Sequence, residues 1–376
     1  MDHQKEKQLL FELTYVDNNR GELEQLLCSV IDYPWLLGQI LFNRMGGVAY
    51  LKLEESELLG KINREMRNSL RNIFQIQKIK AESFTAGLKL LSEIFENVTF
   101  RYAFLKGAFL IGNLYKDGER NSNDYDILIS QRELGKVNEL LLAHGFVQGK
   151  CNFNSMKITE ATRFEIISSR MNRGETIPYF KRVDYLGMEY MEIDVNFSLD
   201  YKAQNENSSV DLMLKDAVMY GVGGKGLYTL NRDEFFIHLC LHLFKEAVVF
   251  NWVKMQRDLS LYKFYDILLY FYKFYKSEEE IISLKDKIIV HGAQAECYYT
   301  LIKTAALYDK LAENANYLYL TENIKPDKLL YLNEIIHPEE NKIYKYDMDF
   351  KEWFFKYDRA EYLFLSKEEA LNETKI

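Results

Sequence analysis

Residues 104–129, FLKGAFLIGNLYKDGERNSNDYDILI, contain the pattern from which the fold of this chain can be derived. They read as an apolar strand, a tight turn at Lys106-Gly107, a short amphipathic helix, a polar loop and a second strand. The second strand opens with Asp124 and Asp126. Because side chains alternate faces along a strand, these two carboxylates lie side by side while the residues between and after them point into the core.

Two carboxylates held this close repel each other unless a proton or a divalent cation lies between their oxygens. Hard cations such as Mg²⁺ prefer oxygen ligands. A simpler interpretation also exists, since aspartates often decorate a turn before a buried strand. The Lys106-Gly107 turn upstream favours a functional site over a decorated turn.

The pattern resembles the nucleotidyltransferase fold of the DNA polymerase β superfamily, in which a glycine turn precedes a helix and a strand carrying Asp-x-Asp follows. More narrowly, Leu-Lys-Gly at 105–107 and Arg-x-Ser-x-Asp-x-Asp at 120–126 resemble motifs of uncharacterised bacterial nucleotidyltransferases. Toxin subunits of abortive-infection systems share a related pattern. The resemblance implies an α+β fold, with a polymerase-β-like core and mixed sheet flanked by N-terminal and C-terminal helical regions.

The superfamily takes a third carboxylate from a later strand. Residues 189–199 alternate between apolar and polar side chains and predict that strand. Asp194 is the expected third ligand, with Glu192 as the next candidate and Asp184 as a more distant one. In the resembling family His-Trp usually follows the acidic position, whereas this chain has asparagine and phenylalanine there.

The resemblance implies attack of an acceptor hydroxyl or phosphate on the α-phosphorus of a nucleoside triphosphate such as ATP, with release of pyrophosphate. Mg²⁺ or Mn²⁺ held by Asp124, Asp126 and Asp194 would neutralise the triphosphate. Backbone close to the glycine turn, and free N–H groups of the following helix, would approach the phosphates. The residues expected to contact the nucleotide are Lys106, Gly107, Ala108, Arg120 and Ser122.

Composition indicates a globular protein. The 376 residues are 48% hydrophobic, enough for a large core. The formal charge of −8 argues against a general nucleic-acid binder, so no DNA partner is expected. The four cysteines are scattered and are interpreted as reduced thiols. The first residues are too polar for a signal peptide, and no apolar run is long enough to span a bilayer. A cytoplasmic location without a membrane partner is therefore expected.

Three regions follow one another along the chain: an N-terminal helical region at 1–85, the nucleotidyltransferase core at 86–225 and a C-terminal helical domain at 226–376. Within the core, residues 163–168 are predicted to form a strand. Asp233 is predicted to cap the first helix of the C-terminal domain.

Three further patterns have weaker functional interpretations. Aromatic residues and lysines mix at 261–276, but the helical spacing of the aromatics favours a buried face over a platform for stacking bases. The glycine-rich stretch 221–226 lacks the spacing of a Walker loop and reads as a β-turn or hinge. His238 and His242 share a helix face, yet the acidic residue of His-Glu-x-x-His is missing. Packing is the default for both, and a substrate-pocket role for His242 is the alternative.

Three functions of different classes remain open at this point. The favoured one is an enzyme acting on a small-molecule or sugar-phosphate acceptor. The second is a toxin-type or defence-type transferase that modifies tRNA or protein. The third is a degenerate nucleotide-binding protein without chemistry, against which the joint presence of the motif residues argues.

Overall fold

The computed structural model describes residues 3–17, 19–152, 154–155, 157–200 and 208–366. The chain divides into a sheet-containing unit, Gly46–Leu51 with Arg67–Phe235, and a mainly helical unit, Met1–Met45 with Lys52–Met66 and Phe236–Ile376. The helices of the described ranges are all too short or too polar to cross a membrane. The three-region division drawn from the sequence stays a prediction.

An eight-stranded mixed sheet forms the centre of the sheet-containing unit, with strand order β4-β3-β5-β6-β2-β1-β8-β7. The β2–β6 and β1–β8 pairs are parallel, and the other neighbours are antiparallel. The strands are β1 (Tyr102–Phe104), β2 (Tyr125–Ile129), β3 (Val147–Asn152), β4 (Lys157–Glu160), β5 (Tyr179–Tyr185), β6 (Met188–Asn196), β7 (Val218–Val222) and β8 (Lys225–Thr229). In the helical unit, β9 (Glu334–His337), β10 (Lys342–Lys345) and β11 (Phe364–Leu365) form a second, three-stranded sheet.

Helices make up most of the remaining described structure, and the fold is mixed α and β as the sequence predicts. In chain order they are α1 (Gln4–Leu13), α2 (Arg20–Leu27), α3 (Tyr33–Phe42), α4 (Gly46–Glu55), α5 (Arg64–Ile94), α6 (Gly107–Asn113), α7 (Leu134–Ala143), α8 (Arg163–Asn172), α9 (Ser208–Lys215), α10 (Arg232–Val248), α11 (Phe250–Lys254), α12 (Leu261–Phe274), α13 (Glu278–His291), α14 (Gln294–Leu307), α15 (Ala315–Asn323) and α16 (Phe350–Phe354).

The core of the sheet-containing unit lies between the sheet and α5. Tyr125 of β2 stacks on Phe84 of α5 with ring centroids 4.2 Å apart, and its hydroxyl donates to the Phe84 carbonyl. A Cβ at Gly87 would overlap the tyrosine hydroxyl, so only glycine fits at this point of the helix. Met191 and Ile193 of β6 are fully buried in the same core. The polar residues of β2 and β6 therefore lie on the other face of the sheet.

The structure corrects two local predictions. Residues 163–168 form the first part of helix α8 instead of a strand, because Thr162 and Glu165 make a capping box. Helix α10 begins at Arg232, and the side chain of Asn231, instead of that of Asp233, accepts the first backbone N–H groups. In the first place a local hydrogen bond outweighs the pattern of hydrophobic residues, and in the second the helix is capped two residues earlier than predicted.

Two other predictions are confirmed. Gly223 and Gly224 have φ of 59° and 91° and form the two-residue turn of the β7–β8 hairpin. The aromatic face of α12 is core, with Phe264 and Phe271 at most 1% exposed. All four cysteines are free thiols.

Candidate functional site

Carboxylates of two neighbouring strands are brought together on the polar face of the sheet. β2 and β6 are parallel, and their register sets Asp126 directly opposite Asp194. Continuing that register by one residue sets Asp124, which immediately precedes β2, opposite Glu192. The result is a group of four carboxylates, here called the carboxylate cluster: Asp124, Asp126, Glu192 and Asp194.

Burial and mutual repulsion make the carboxylate cluster costly to ionise. Burial, followed by the charges of Asp126 and Asp124, holds the pKa of Asp194 well above its ordinary value. The pKa of Asp124 is raised by burial and by Asp126. Burial and the same two aspartates raise the pKa of Glu192 to about 7. Such a cluster binds a proton or a cation more strongly than isolated carboxylates do.

Three side chains hold Asp124 and Asp126. Lys106 Nζ lies 2.9 Å from Asp126 Oδ1, and the Asp126 side chain is only 5% exposed. Asn196 Nδ2 donates to the same oxygen at 3.3 Å. Ser122 Oγ donates to Asp124 Oδ1 at 3.1 Å. These contacts orient the carboxylates before any ligand arrives.

The glycine turn is packed tightly. A Cβ at Gly107 would overlap the side chain of Ser122, so the glycine lets the turn approach the loop that carries Asp124. The N–H of Ala108 donates to the Leu105 carbonyl, and the next N–H along donates to the carbonyl of residue 106. These two amides are therefore engaged within the turn, and an approach of the other amides at the start of α6 to phosphates stays a prediction. Helix α6 itself spans seven residues and is kinked at Gly112.

Arg120 lies in the loop before β2 and is 7% exposed. Its guanidinium is 5.8 Å from the centre of the Tyr115 ring, and its Nη1 donates to the Asn121 carbonyl at 3.3 Å. These contacts of Arg120 stabilise the conformation of the loop. Its predicted contact to the phosphates of the nucleotide stays a prediction.

The structure places two of the three candidates for the third carboxylate in the carboxylate cluster and the other one elsewhere. Asp194 and Glu192 belong to the carboxylate cluster, whereas Asp184 is exposed on β5 beside the β5–β6 turn, at the other end of the strand. Asn196 is a site residue for which the sequence analysis predicted no role. The sequence did indicate its position, since the alternation of side chains along β6 sets Asn196 on the same face as Asp194.

Among the described residues, no three His, Cys, Asp or Glu side chains are gathered closely enough to hold a metal ion by themselves. Mg²⁺ usually takes only one or two protein carboxylates and completes its shell with water and substrate phosphates. The hard oxygen donors of the carboxylate cluster fit such a cation. In the helical unit, the rings of His238 and His242 lie parallel with centroids 6.3 Å apart, and His242 Nε2 is 3.4 Å from Glu246 Oε2.

Comparison with known families accounts for most of the chain. A family described as uncharacterised nucleotidyltransferase matches residues 29–309 of the 376. The chain belongs to this family. A search of curated proteins and a search of solved structures give no match.

The range matched by the nucleotidyltransferase family includes the whole eight-stranded sheet and the carboxylate cluster. The family name indicates nucleotidyl transfer and, with it, a nucleoside triphosphate as substrate. The family description does not name the acceptor of the nucleotidyl group.

Proposed function

We propose that this nucleotidyltransferase moves a nucleoside monophosphate from a nucleoside triphosphate to a small-molecule or sugar-phosphate acceptor, releases pyrophosphate and depends on Mg²⁺ or Mn²⁺. We assign the sheet to a polymerase-β-like core. The observation that carries the proposal is the parallel pairing of β2 with β6, which sets the buried Asp126 opposite the half-buried Asp194.

Asp124, Asp126 and Asp194 would hold the divalent cations. When bound, such cations neutralise the triphosphate and lower the pKa of the attacking group. The chain contributes the pre-orientation: Asn196 and Lys106 fix one carboxylate, and Ser122 fixes another. Pre-oriented charges need little reorganisation as the reaction proceeds, which is a main source of catalytic rate.

Two observations favour a small acceptor. The chain carries a formal charge of −8, whereas nucleic-acid binding requires clustered Lys and Arg. In α12, the helix with the densest mixture of aromatics and lysines, Lys263 is buried, paired with Glu246 and bonded to the Arg257 carbonyl. Lys263 therefore belongs to the core of the helical unit and does not contribute to a surface that could bind the phosphates of a nucleic acid.

The test is a screen of the purified protein with each of the four α-labelled nucleoside triphosphates and Mg²⁺ or Mn²⁺. A cell extract is divided by ultrafiltration into small molecules and macromolecules. We expect label to enter a small molecule, with one pyrophosphate released for each transfer. Label in tRNA or protein instead would show that the acceptor is a macromolecule and refute the small-molecule assignment. If no nucleotide gives transfer or pyrophosphate release, the whole proposal is refuted.

A further inference from the structure

Lys106 has an unusual backbone conformation. Its φ is 44° and its ψ is −121°, a combination that glycine adopts readily and side chains rarely do. The glycine of the turn stands one position later, at 107. A lysine at a position that glycine suits better indicates that its side chain has a function there.

The side chain of Lys106 reaches the carboxylate cluster. Its ammonium is 2.9 Å from Asp126 Oδ1, with side-chain exposures of 19% for the lysine and 5% for the aspartate. A cation at this oxygen offsets the repulsion that burial intensifies among the four carboxylates. The ammonium therefore occupies a position beside an oxygen that a divalent cation would use.

The backbone around Lys106 is anchored independently of that ion pair. Its carbonyl accepts the N–H of Phe109 at 3.1 Å and of Leu110 at 2.8 Å. On the other side, the N–H of Leu105 donates to the Asp126 carbonyl at 2.9 Å. Since lysine is a point charge on a flexible four-carbon stem, the ammonium can leave the carboxylate while the turn stays in place.

We propose that Lys106 is an exchangeable counter-ion: its ammonium neutralises Asp126 while no divalent cation is bound, and it leaves the carboxylate for the triphosphate when cation and nucleotide bind. The proposal rests on the proposed function for its nucleotide step. The ion exchange itself needs only the carboxylate cluster and a divalent cation.

The experiment measures Mn²⁺ binding without nucleotide, by electron paramagnetic resonance of free Mn²⁺, for the wild type, Lys106→Met and Lys106→Gly. Methionine keeps the stem and the backbone strain but removes the charge, whereas glycine removes the charge and relieves the strain. Both variants should bind Mn²⁺ about tenfold more tightly, since one charged hydrogen bond no longer competes. Lys136→Met is the matched control, because it removes an exposed lysine of the same unit whose ammonium lies 2.7 Å from Glu133, and it should leave Mn²⁺ affinity unchanged.

A second measurement follows nucleotide binding at saturating Mn²⁺ with a non-hydrolysable triphosphate. Both Lys106 variants should bind it about tenfold more weakly, as expected for the loss of one charged contact to phosphate. Unchanged or weaker Mn²⁺ binding in both variants, or no Mn²⁺ binding by any of the proteins, overturns the exchange. Unchanged nucleotide affinity overturns the phosphate step. Circular dichroism of both variants checks that the overall secondary structure is kept.

These outcomes are separable from those of the transfer screen. Tighter Mn²⁺ binding by the variants of a protein that transfers no nucleotide supports the exchange and refutes the proposed function. Transfer by the wild type together with unchanged Mn²⁺ binding in the variants supports the function and refutes the exchange.

Discussion

Replacing Asp126 by asparagine is expected to remove nucleotidyl transfer while the fold is kept. The carboxamide has nearly the same size, and Asn196 and Lys106 already surround the position with hydrogen-bonding groups. It carries no charge, however, and a neutral oxygen holds a divalent cation far less strongly. Loss of one such ligand costs several kcal/mol of transition-state stabilisation, on the order of 10³-fold in rate.

The fold should tolerate Asp126→Asn because two electrostatic effects oppose each other. Lys106 loses a charged partner at 2.9 Å, which destabilises the folded state. Asp194 and Asp124 lose a like charge that raises the pKa of both, which stabilises it. We expect the free energy of unfolding to change by less than about 1–2 kcal/mol.

The assay is the initial rate of pyrophosphate release under the conditions found in the transfer screen, together with urea unfolding. Asp184→Asn is the matched control, since it makes the same chemical change on the same sheet at an exposed position. The control should keep the wild-type rate. A rate for Asp126→Asn within tenfold of the wild type, or an equal loss in the control, would refute the assignment of the carboxylate cluster as the catalytic site.

Three further predictions concern stability. The pKa of Glu192 is raised to about 7 from an ordinary 4.5, so the metal-free protein should lose stability as pH rises through that window. The contribution of Glu192 is about 1–2 kcal/mol after allowance for partial exposure, and Glu192→Gln should reduce the loss in thermal unfolding by that amount, while the raised pKa values of Asp194 and Asp124 keep the remainder. Gly87→Ala should cost about 1–3 kcal/mol in urea unfolding, since its Cβ meets a buried tyrosine, whereas Gly38→Ala, with no atom near its Cβ, should be neutral or stabilising. Arg359→Met should cost about 3–5 kcal/mol because it leaves the fully buried Asp258 carboxylate without its arginine, and adding Asp258→Leu should recover part of the loss.

The local sequence alone predicted much of the strand architecture of the site. Alternation with a period of two residues indicated which residues of β2 and β6 are buried, and the structure confirms it for Tyr125 and Ile193. The glycine pair of the β7–β8 turn and the buried face of α12 were equally readable, because both depend on neighbours only a few residues away. Residues 163–168 were misread because a short apolar run fits a strand and a helix alike.

The spacing of residues could not decide which strand lies beside β2: the resemblance suggested residues 189–199, and the tertiary structure shows the pairing. The pairing that sets Asp126 opposite Asp194 joins residues far apart in the chain, and strand alternation defines a face but not a neighbour. The same holds for Lys106, whose backbone conformation and ion pair depend on the strand that approaches its turn. The repulsion within the carboxylate cluster also arises from burial and proximity, which act through space and leave no mark on the spacing of residues along the chain.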